Sequence, residues 1–322
     1  MRIVVLGVGA IGGTIAGLLA LHGHEVLGIA RGAQLAAITG PGLVLRQPAV
    51  TRQVQIPAVA SPDEVDWRPD DAILLCTKTQ GTEAALAGLR AAGVTDQPIF
   101  CTQNGVENER LTARRFPNVH AITVMLPAQY LEPGEVAAFG APHPGLLDIG
   151  CFPGGHDAAD SELSAILSAA EFVAEARDDV MRSKYGKLLL NLGNVVQAAH
   201  GKGPENDPLT KVLRAEALAA YAAAGIEVED VSTANPRREL MQLSDIPGVP
   251  YLGGSSTQSL ARGSGSIETD FINGEIALLG RLHGVPTPAN TWYTRLGARM
   301  AVEGLAPFSI PRDEAKRAIG LT

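Results

Sequence analysis

Residues 2–13 read RIVVLGVGAIGG, an apolar run that passes directly into closely spaced glycines. The run from Arg2 to Leu6 is short and apolar after its arginine, which predicts a buried β-strand. The apolar text from Ile11 to Leu21 is long enough for a helix. Because Gly7 and Gly9 stand between them and Gly12 opens the helix in a G-x-G-x-x-G register, the stretch predicts a strand, a tight turn and a helix.

Each glycine of this turn has a separate physical use. The first permits the tight turn, the second lets the backbone approach a pyrophosphate, and the third lets the helix pack close to the strand. The first N–H groups of the helix then face anionic oxygens. We therefore expect a dinucleotide to bind the loop residues Gly7, Gly9, Ala10, Ile11 and Gly12. A plain strand-turn-helix built from small residues is the alternative.

The end of the second predicted strand, Glu25 to Ala30, indicates which dinucleotide binds. An NAD-binding chain usually has an acidic residue there for the ribose hydroxyls, whereas this chain has Arg31. A guanidinium suits a 2′-phosphate through paired, charge-assisted hydrogen bonds. Arg31 therefore favours NADP(H) over NAD(H), and a solvated surface arginine is the alternative.

Composition excludes several other classes of protein. The 322 residues include 26 Lys and Arg against 34 Asp and Glu, so the formal charge is -8 and neither nucleic acid nor membrane is an expected partner. Three cysteines without a C-x-x-C pair predict neither a disulfide framework nor a metal site. This cysteine usage fits a reducing compartment, and we expect a cytoplasmic protein. The uncharged residues 3–21 resemble an export signal, but their five glycines argue against that interpretation.

Strand and helix patterns divide the chain into two domains. In the first half, predicted strands alternate with helices, which predicts a mostly parallel, doubly wound α/β sheet. Strands are expected at Ala72 to Cys76, Pro98 to Cys101, His120 to Met125, Val136 to Phe139 and Leu146 to Ile149, and a helix at Glu83 to Ala92. We place an NADP-binding domain at residues 1–177 and an all-α domain at 178–322.

The second half of the sequence predicts mainly helices. They are expected at Ser161 to Ala174, Asp178 to Ala199, Leu209 to Ala224, Pro236 to Leu243 and Ile267 to His283. The Gly- and Ser-rich stretch from Gly253 to Ser266 is expected to be a loop.

One of these helices carries a polar stripe in apolar surroundings. Lys187, Asn191 and Asn194 are spaced by four and three residues, which places them on one helix face. A buried ammonium and buried amides are costly without partners, so the stripe faces either a polar ligand or solvent.

Two polar loops also follow predicted strands. Lys78 lies in the first and Asn104 in the second, at the carboxyl edge where open α/β sheets bind ligands, although turn chemistry is the alternative for each.

Together with a later motif, these residues resemble the ketopantoate reductase (2-dehydropantoate 2-reductase) family. The motif is ETDFING, which begins at Glu268, and the resemblance extends from about Met1 to Met300. It implies an N-terminal Rossmann domain, a helical C-terminal domain, and reduction of a 2-oxo acid by NADPH.

The resemblance also implies residue roles. Lys187 matches the general acid, and Glu268 matches the acidic residue that contacts the lysine and the substrate. Substrate-binding positions match Asn104, which also lies near the nicotinamide, Asn191 and Ser256, and Asn194, one residue before a further such position, is expected to bind substrate as well. Lys78 and Arg31 match cofactor-side positions.

The substrate half departs from the family pattern. Ser256 is followed by Thr257, Gln258 and Ser259 in place of Met and a Gln-Asp pair, and the second helical asparagine aligns with Val195. Ketopantoate is therefore the default substrate, and a different ketone or 2-oxo acid is the alternative. A non-enzymatic module that senses NADP(H) is a further alternative, and the sequence leaves a homodimer open.

Overall fold

The computed structural model describes residues 1–263 and 265–321, and contacts divide the chain into two compact units. The first unit contains Met1–Asn104, Asn108–Ser183 and Thr233–Tyr251. The second contains Gly105–Glu107, Lys184–Ser232 and Leu252–Thr322. The domain boundary near Arg177 stays a prediction.

Strands dominate the first half of the chain and helices the second. The strands are β1 Arg2–Leu6, β2 Val26–Ile29, β3 Leu43–Arg46, β4 Thr51–Val54, β5 Ala58–Val59, β6 Asp71–Leu75, β7 Ile99–Cys101, β8 Val119–Met125, β9 Ala128–Glu132, β10 Glu135–Ala138, β11 Gly140–Pro142, β12 Leu146–Cys151, β13 Val173–Ala176 and β14 Met241–Leu243. The helices are α1 Ala10–Leu21, α2 Gly32–Thr39, α3 Thr82–Ala91, α4 Glu107–Ala113, α5 Ala158–Ala169, α6 Val180–Asn191, α7 Gly193–His200, α8 Asp207–Ala224, α9 Ser255–Ala261, α10 Asn273–His283, α11 Pro288–Val302 and α12 Arg312–Ala318.

The main sheet of the first unit is doubly wound. Its order is β13-β12-β8-β7-β6-β1-β2-β5, and the six strands from β8 to β5 are parallel. Strand β12 runs antiparallel to β8, and β13 pairs with β12 in parallel. The order reverses direction at β1, the arrangement in which such sheets bind ligands at the carboxyl ends of the strands. The predicted fold class is confirmed.

Apolar residues of β1 explain why this sheet is covered on both faces. Ile3 and Val5 point into one hydrophobic cluster and Val4 and Leu6 into another, and all four are buried. Helices α1 and α5 contribute to the first cluster and α3 to the second. A parallel sheet with both faces covered requires continuous apolar strands of this kind.

A second, smaller sheet of the first unit has the order β4-β3-β10-β9 and packs on α1. The sequence did not predict β3, β4 or β9. Strand β4, TRQV, has a single apolar residue, and β3 and β9 are short runs of four and five residues, so the sequence patterns there are weak.

The segment Thr233–Tyr251 belongs to the first unit although it follows α8 in the chain. Its strand β14 pairs antiparallel with β11, and the Arg237 guanidinium lies 2.8 Å from Asp148 Oδ1. The predicted helix Pro236 to Leu243 is therefore wrong. The segment forms a 3-10 turn, Pro236–Leu240, followed by β14, because strand pairing overrides the helical propensity of RRELMQL.

Helices α7 to α11 of the second unit pack together, and a polar network joins α8 to α11. The Glu216 carboxylate accepts hydrogen bonds from the backbone N–H groups of Ala289 and Asn290 at 2.8 and 2.9 Å, which caps the start of α11. The Asn290 amide donates to Leu213 O at 3.0 Å and to Glu216 Oε2 at 2.8 Å. Within the described residues, no helix is long and apolar enough to cross a membrane.

Four further predictions need correction. The helix Ser161 to Ala174 begins earlier, at Ala158, and ends at Ala169, since Glu171 has φ 75° and β13 follows. The helix Asp178 to Ala199 is interrupted at Leu192, which separates α6 from α7. The helix Ile267 to His283 begins with a 3-10 turn over Glu268–Phe271. The loop predicted from Gly253 to Ser266 contains α9, and its Ser264 lies outside the described residues.

Candidate active site

Four candidate cofactor elements lie along one edge of the main sheet. Arg31 follows β2, the glycine loop follows β1, Lys78 follows β6 and Asn104 follows β7. These four strands are parallel neighbours in that order, so their carboxyl ends meet at the same edge. Three spacings of about 4.8 Å separate the first loop from the last, a span of about 14 Å that suits an extended ligand.

The glycine loop is tightly constrained at two positions and open at a third. Gly7 has φ 107°, a backbone conformation that other residues rarely adopt. A Cβ on Gly12 would lie 2.1 Å from the Gly7 carbonyl oxygen, so only glycine fits there. A Cβ on Gly9 would meet no atom of the described residues within 4 Å. Gly9 therefore leaves space open above the start of α1.

Helix α1 begins at Ala10 in a manner suited to an anion. In the described part of the chain, no side chain caps it, and its first turn has no acidic residue. Its leading N–H groups and positive dipole end therefore remain available. Gln34 braces the loop, because its amide donates to Val8 O at 2.8 Å and accepts from Gly134 N at 2.7 Å. This brace was not predicted, since its partners are distant in sequence. The loop fits a dinucleotide pyrophosphate.

Arg31 lies immediately before α2 with an exposed side chain. Its guanidinium makes no hydrogen bond or ion pair with any described residue. Because no described residue binds this guanidinium, it is available to bind a phosphate of a ligand.

A buried hydrogen-bond network fixes the two polar loops. Thr82 Oγ1 donates to Asn108 Oδ1 at 2.7 Å and accepts from Gln103 Nε2 at 3.2 Å. Asn108 Nδ2 in turn donates to Thr79 Oγ1 and to the Asn104 carbonyl, both at 3.2 Å. The network therefore ties the loop that carries Lys78 to the loop that carries Asn104.

Thr77 is a candidate that the sequence predictions did not select. Its Oγ1 is buried without a hydrogen-bond partner among the described residues, and its backbone N lies 3.0 Å from the Cβ position of Gly7. In the sequence, Thr77 could have been selected because it directly follows Cys76, the end of a predicted strand, and lies at the same sheet edge as Lys78.

In the second unit, α6 carries Lys187 and Asn191 one helical turn apart. Lys187 is half-buried, and Asn191 is 9% exposed. The Nδ2 atom of Asn191 is buried and has no hydrogen-bond partner in the described chain. Lys184, one turn before Lys187, is almost fully buried. Nδ2 of Asn191 is therefore a buried hydrogen-bond donor without a partner in the described chain, one and two helical turns after Lys187 and Lys184.

Asn194 lies on α7, after the interruption at Leu192, and it faces the start of α9. A Cβ on Gly254 would lie 2.8 Å from Asn194 Oδ1, and the Gly254 N–H donates to Gln197 Oε1 at 2.8 Å. Gly254 directly precedes α9, in which Ser256 is buried. The structure therefore brings Asn194 and the segment of Ser256 together.

Glu268 is half-buried at the first residue of the 3-10 turn that precedes α10. Shortly after it, Asn273 Nδ2 donates to Leu192 O at 3.4 Å and to Asn290 Oδ1 at 3.1 Å. These bonds tie the start of α10 to the junction of α6 and α7. Asn273 was not predicted as a site residue, although it belongs to the ETDFING motif.

The glycine loop on a doubly wound sheet defines a dinucleotide-binding protein of the Rossmann class. A family model described as "Ketopantoate reductase PanE/ApbA" matches residues 3–154, and its C-terminal counterpart matches residues 179–300. The chain belongs to the ketopantoate reductase family, whose members are oxidoreductases acting on CH–OH and C=O groups.

Individual relatives agree over nearly the whole chain. A 2-dehydropantoate 2-reductase of Pyrococcus horikoshii is 28% identical over 302 residues, covering 90% of this chain and 94% of that protein. The crystal structure of a PanE/ApbA family ketopantoate reductase from Ralstonia eutropha is 28% identical, with a TM-score of 0.78 and coverage of 94% and 99%. A D-mandelate dehydrogenase bound to NADH and anilino(oxo)acetate is 25% identical, with a TM-score of 0.80 and the same coverage.

Proposed function

We propose that this protein reduces a 2-oxo acid to the 2-hydroxy acid with NADPH, and that the substrate is 2-dehydropantoate. The family membership and the relatives named 2-dehydropantoate 2-reductase support the reaction. Arg31, with its exposed and unpaired guanidinium, supports the choice of NADPH.

The observation that carries the proposal is the buried donor of Asn191. A buried polar group without a partner costs about 1–3 kcal/mol, and a bound substrate oxygen would supply the bond that Asn191 Nδ2 lacks among the described residues. A carboxylate or carbonyl oxygen of a 2-oxo acid is such an acceptor. Lys187, one turn earlier on α6, adds a positive charge that favours an anionic substrate.

The residues that would hold the cofactor are those of the sheet edge. The N–H groups at the start of α1 would bind the pyrophosphate, Arg31 would bind the 2′-phosphate, and Lys78 and Asn104 would bind the nicotinamide half of the cofactor. When bound, NADPH supplies the hydride that reduces the substrate carbonyl.

The chain's own residues handle the proton and the substrate. Lys187 donates a proton from Nζ to the substrate oxygen as negative charge develops on it. Glu268 keeps the ammonium charged and oriented, and Asn191 offers a preorganised donor to the same substrate. Asn194 and Ser256 bind the carboxylate of the substrate.

A second candidate substrate is a bulkier 2-oxo acid. The likeness to D-mandelate dehydrogenase, a protein solved with anilino(oxo)acetate, favours it. Val195 also favours it, because this buried apolar side chain replaces a second amide donor. One hydrogen-bonding group can change substrate preference greatly.

One assay tests both candidates. The loss of NADPH absorbance is followed with 2-dehydropantoate and with phenylglyoxylate, each beside NADH. The proposal expects the highest kcat/KM for 2-dehydropantoate with NADPH. A preference for phenylglyoxylate would favour the bulkier 2-oxo acid as substrate. A preference for NADH would contradict the binding of a 2′-phosphate by Arg31. Tight NADPH binding without turnover of any carbonyl compound would favour a sensing module.

A further inference from the structure

A second cluster of reactive side chains lies in the first unit, away from the proposed cofactor edge. It consists of His120, Cys151, Asp157 and Asp160, and one ligand atom from each lies within 4.8 Å of all the others. His120 and Cys151 are paired residues of the antiparallel strands β8 and β12. The two aspartates lie at the start of α5. Strand register and helix capping therefore bring the four together.

The distances within the cluster are close to those of a tetrahedral metal site. His120 Nδ1 lies 2.8 Å from Asp160 Oδ1, and Cys151 Sγ lies 3.2 Å from Asp160 Oδ2 and 3.8 Å from His120 Nδ1. Ligands bound tetrahedrally at 2.0–2.3 Å from zinc are separated by about 3.3–3.7 Å. Shifts of about half an ångström would bring each of these three pairs to that separation, and the ligand atoms of all four residues lie within 4.8 Å of one another.

The outer ring nitrogen of His120 is held as it is in metal sites. Nε2 lies 2.8 Å from Asn118 Oδ1, and Asn118 Nδ2 donates to Asp96 O at 3.2 Å, which fixes the orientation of the amide. Asn118 Oδ1 can accept a hydrogen bond from Nε2. The inner nitrogen, Nδ1, faces the carboxylate of Asp160 at 2.8 Å, so a metal ion bound there would replace a hydrogen between the two groups. Metal-binding histidines commonly have such an outer hydrogen bond to an oxygen.

The aspartates are preorganised for the same role. Asp157 Oδ1 accepts from the backbone N–H groups of Ala159 and Asp160, and Asp160 Oδ2 accepts from Asp157 N. This capping box fixes both carboxylates before any ligand arrives. His120 and Asp160 are fully buried and Asp157 is exposed, which gives an ion a route of entry.

A nucleophilic role for Cys151 fits less well. Burial and the neighbouring Asp160 raise the pKa of its thiol to about 12, so it is not a free thiolate at neutral pH.

We propose that His120, Cys151, Asp157 and Asp160 bind one divalent transition-metal ion of the zinc class. A thiolate and an imidazole with carboxylates select zinc and its neighbours over magnesium or calcium. The ion would link the end of β12 and the start of α5 to β8. His120 lies near the amino end of β8, whereas the glycine loop follows the carboxyl end of β1, so the ion takes no part in hydride transfer.

Cobalt binding tests the proposal on the untagged, full-length protein after treatment with a chelator. One equivalent of Co²⁺ should produce the near-ultraviolet absorption band of a thiolate–cobalt bond, and one equivalent of Zn²⁺ should abolish it. Cys151→Ser should lose the band, whereas the control Cys76→Ser should keep it. NADPH oxidation by Cys151→Ser should remain at the level of the unmodified chain.

A second variant separates metal binding from folding. Asn118→Ala should keep the band but weaken zinc affinity about 10- to 100-fold, because it removes only the outer hydrogen bond of His120. The proposal is overturned if the unmodified protein shows no thiolate–cobalt band. It is also overturned if Cys151→Ser, folded by circular dichroism, binds zinc as tightly as Cys76→Ser does.

Discussion

Two alanine substitutions in the glycine loop should have opposite consequences. At Gly9 an added methyl group meets no described protein atom within 4 Å, so Gly9→Ala should fold normally. The same methyl group fills the space that the proposal assigns to the pyrophosphate. At Gly12 the methyl group would lie 2.1 Å from the Gly7 carbonyl oxygen, so Gly12→Ala should destabilise the protein itself.

The magnitudes follow from the contacts. If the Gly9 methyl group prevents two charge-assisted hydrogen bonds at about 1.5 kcal/mol each, NADPH affinity falls about 100-fold. The change in unfolding free energy at Gly9 should stay within about 1 kcal/mol. Overpacking at Gly12 should cost about 1–3 kcal/mol, which lowers Tm by at least about 2 °C.

Isothermal titration calorimetry with NADPH and thermal unfolding measure the two effects separately. The expected pattern is lost binding with an unchanged Tm for Gly9→Ala, and a lowered Tm for Gly12→Ala. If Gly9→Ala binds NADPH within about twofold of the unmodified protein, the pyrophosphate does not lie over this loop.

Two further variants test the cofactor and substrate assignments. Arg31→Glu should raise the KM for NADPH about 10- to 100-fold and leave the KM for NADH and the Tm nearly unchanged, because the guanidinium has no partner in the described chain. A parallel loss for both cofactors would refute 2′-phosphate recognition. Asn191→Ala should raise the KM for 2-dehydropantoate about tenfold without lowering Tm, since its Nδ2 makes no bond among the described residues. Asn290→Ala, which breaks bonds to Leu213 and Glu216, is the matched control and should lower Tm; an equal loss of stability at Asn191 would contradict our interpretation.

Much of the first unit could be predicted because its signals are local. The strand Arg2–Leu6 was predicted with its observed bounds, since continuous apolar text and the following glycines mark both ends. Helix α5 was placed too late because its capping box uses Asp160 at the third position, where glutamate or glutamine is more usual.

The remaining differences come from contacts between distant residues. Strand β14 lies in text that favours a helix, and it becomes a strand only because β11 pairs with it. The brace from Gln34 to Val8 likewise joins residues whose spacing has no sequence signature. Candidate residues on single elements, such as Lys187 and Asn191 on α6, could be predicted from helical spacing, whereas the partners of Asn194 could not.

In the proposed mechanism, Lys187 supplies the proton in a reduction that uses NADPH. The most direct measurement is NADPH oxidation with 2-dehydropantoate by Lys187→Ala, beside NADPH binding by the same variant. Lys211→Ala, at an exposed position of α8, is the control. We predict a fall in kcat of about 10²- to 10⁴-fold for Lys187→Ala, with NADPH affinity retained, and no change for the control. Turnover by Lys187→Ala at the unmodified rate would contradict the account.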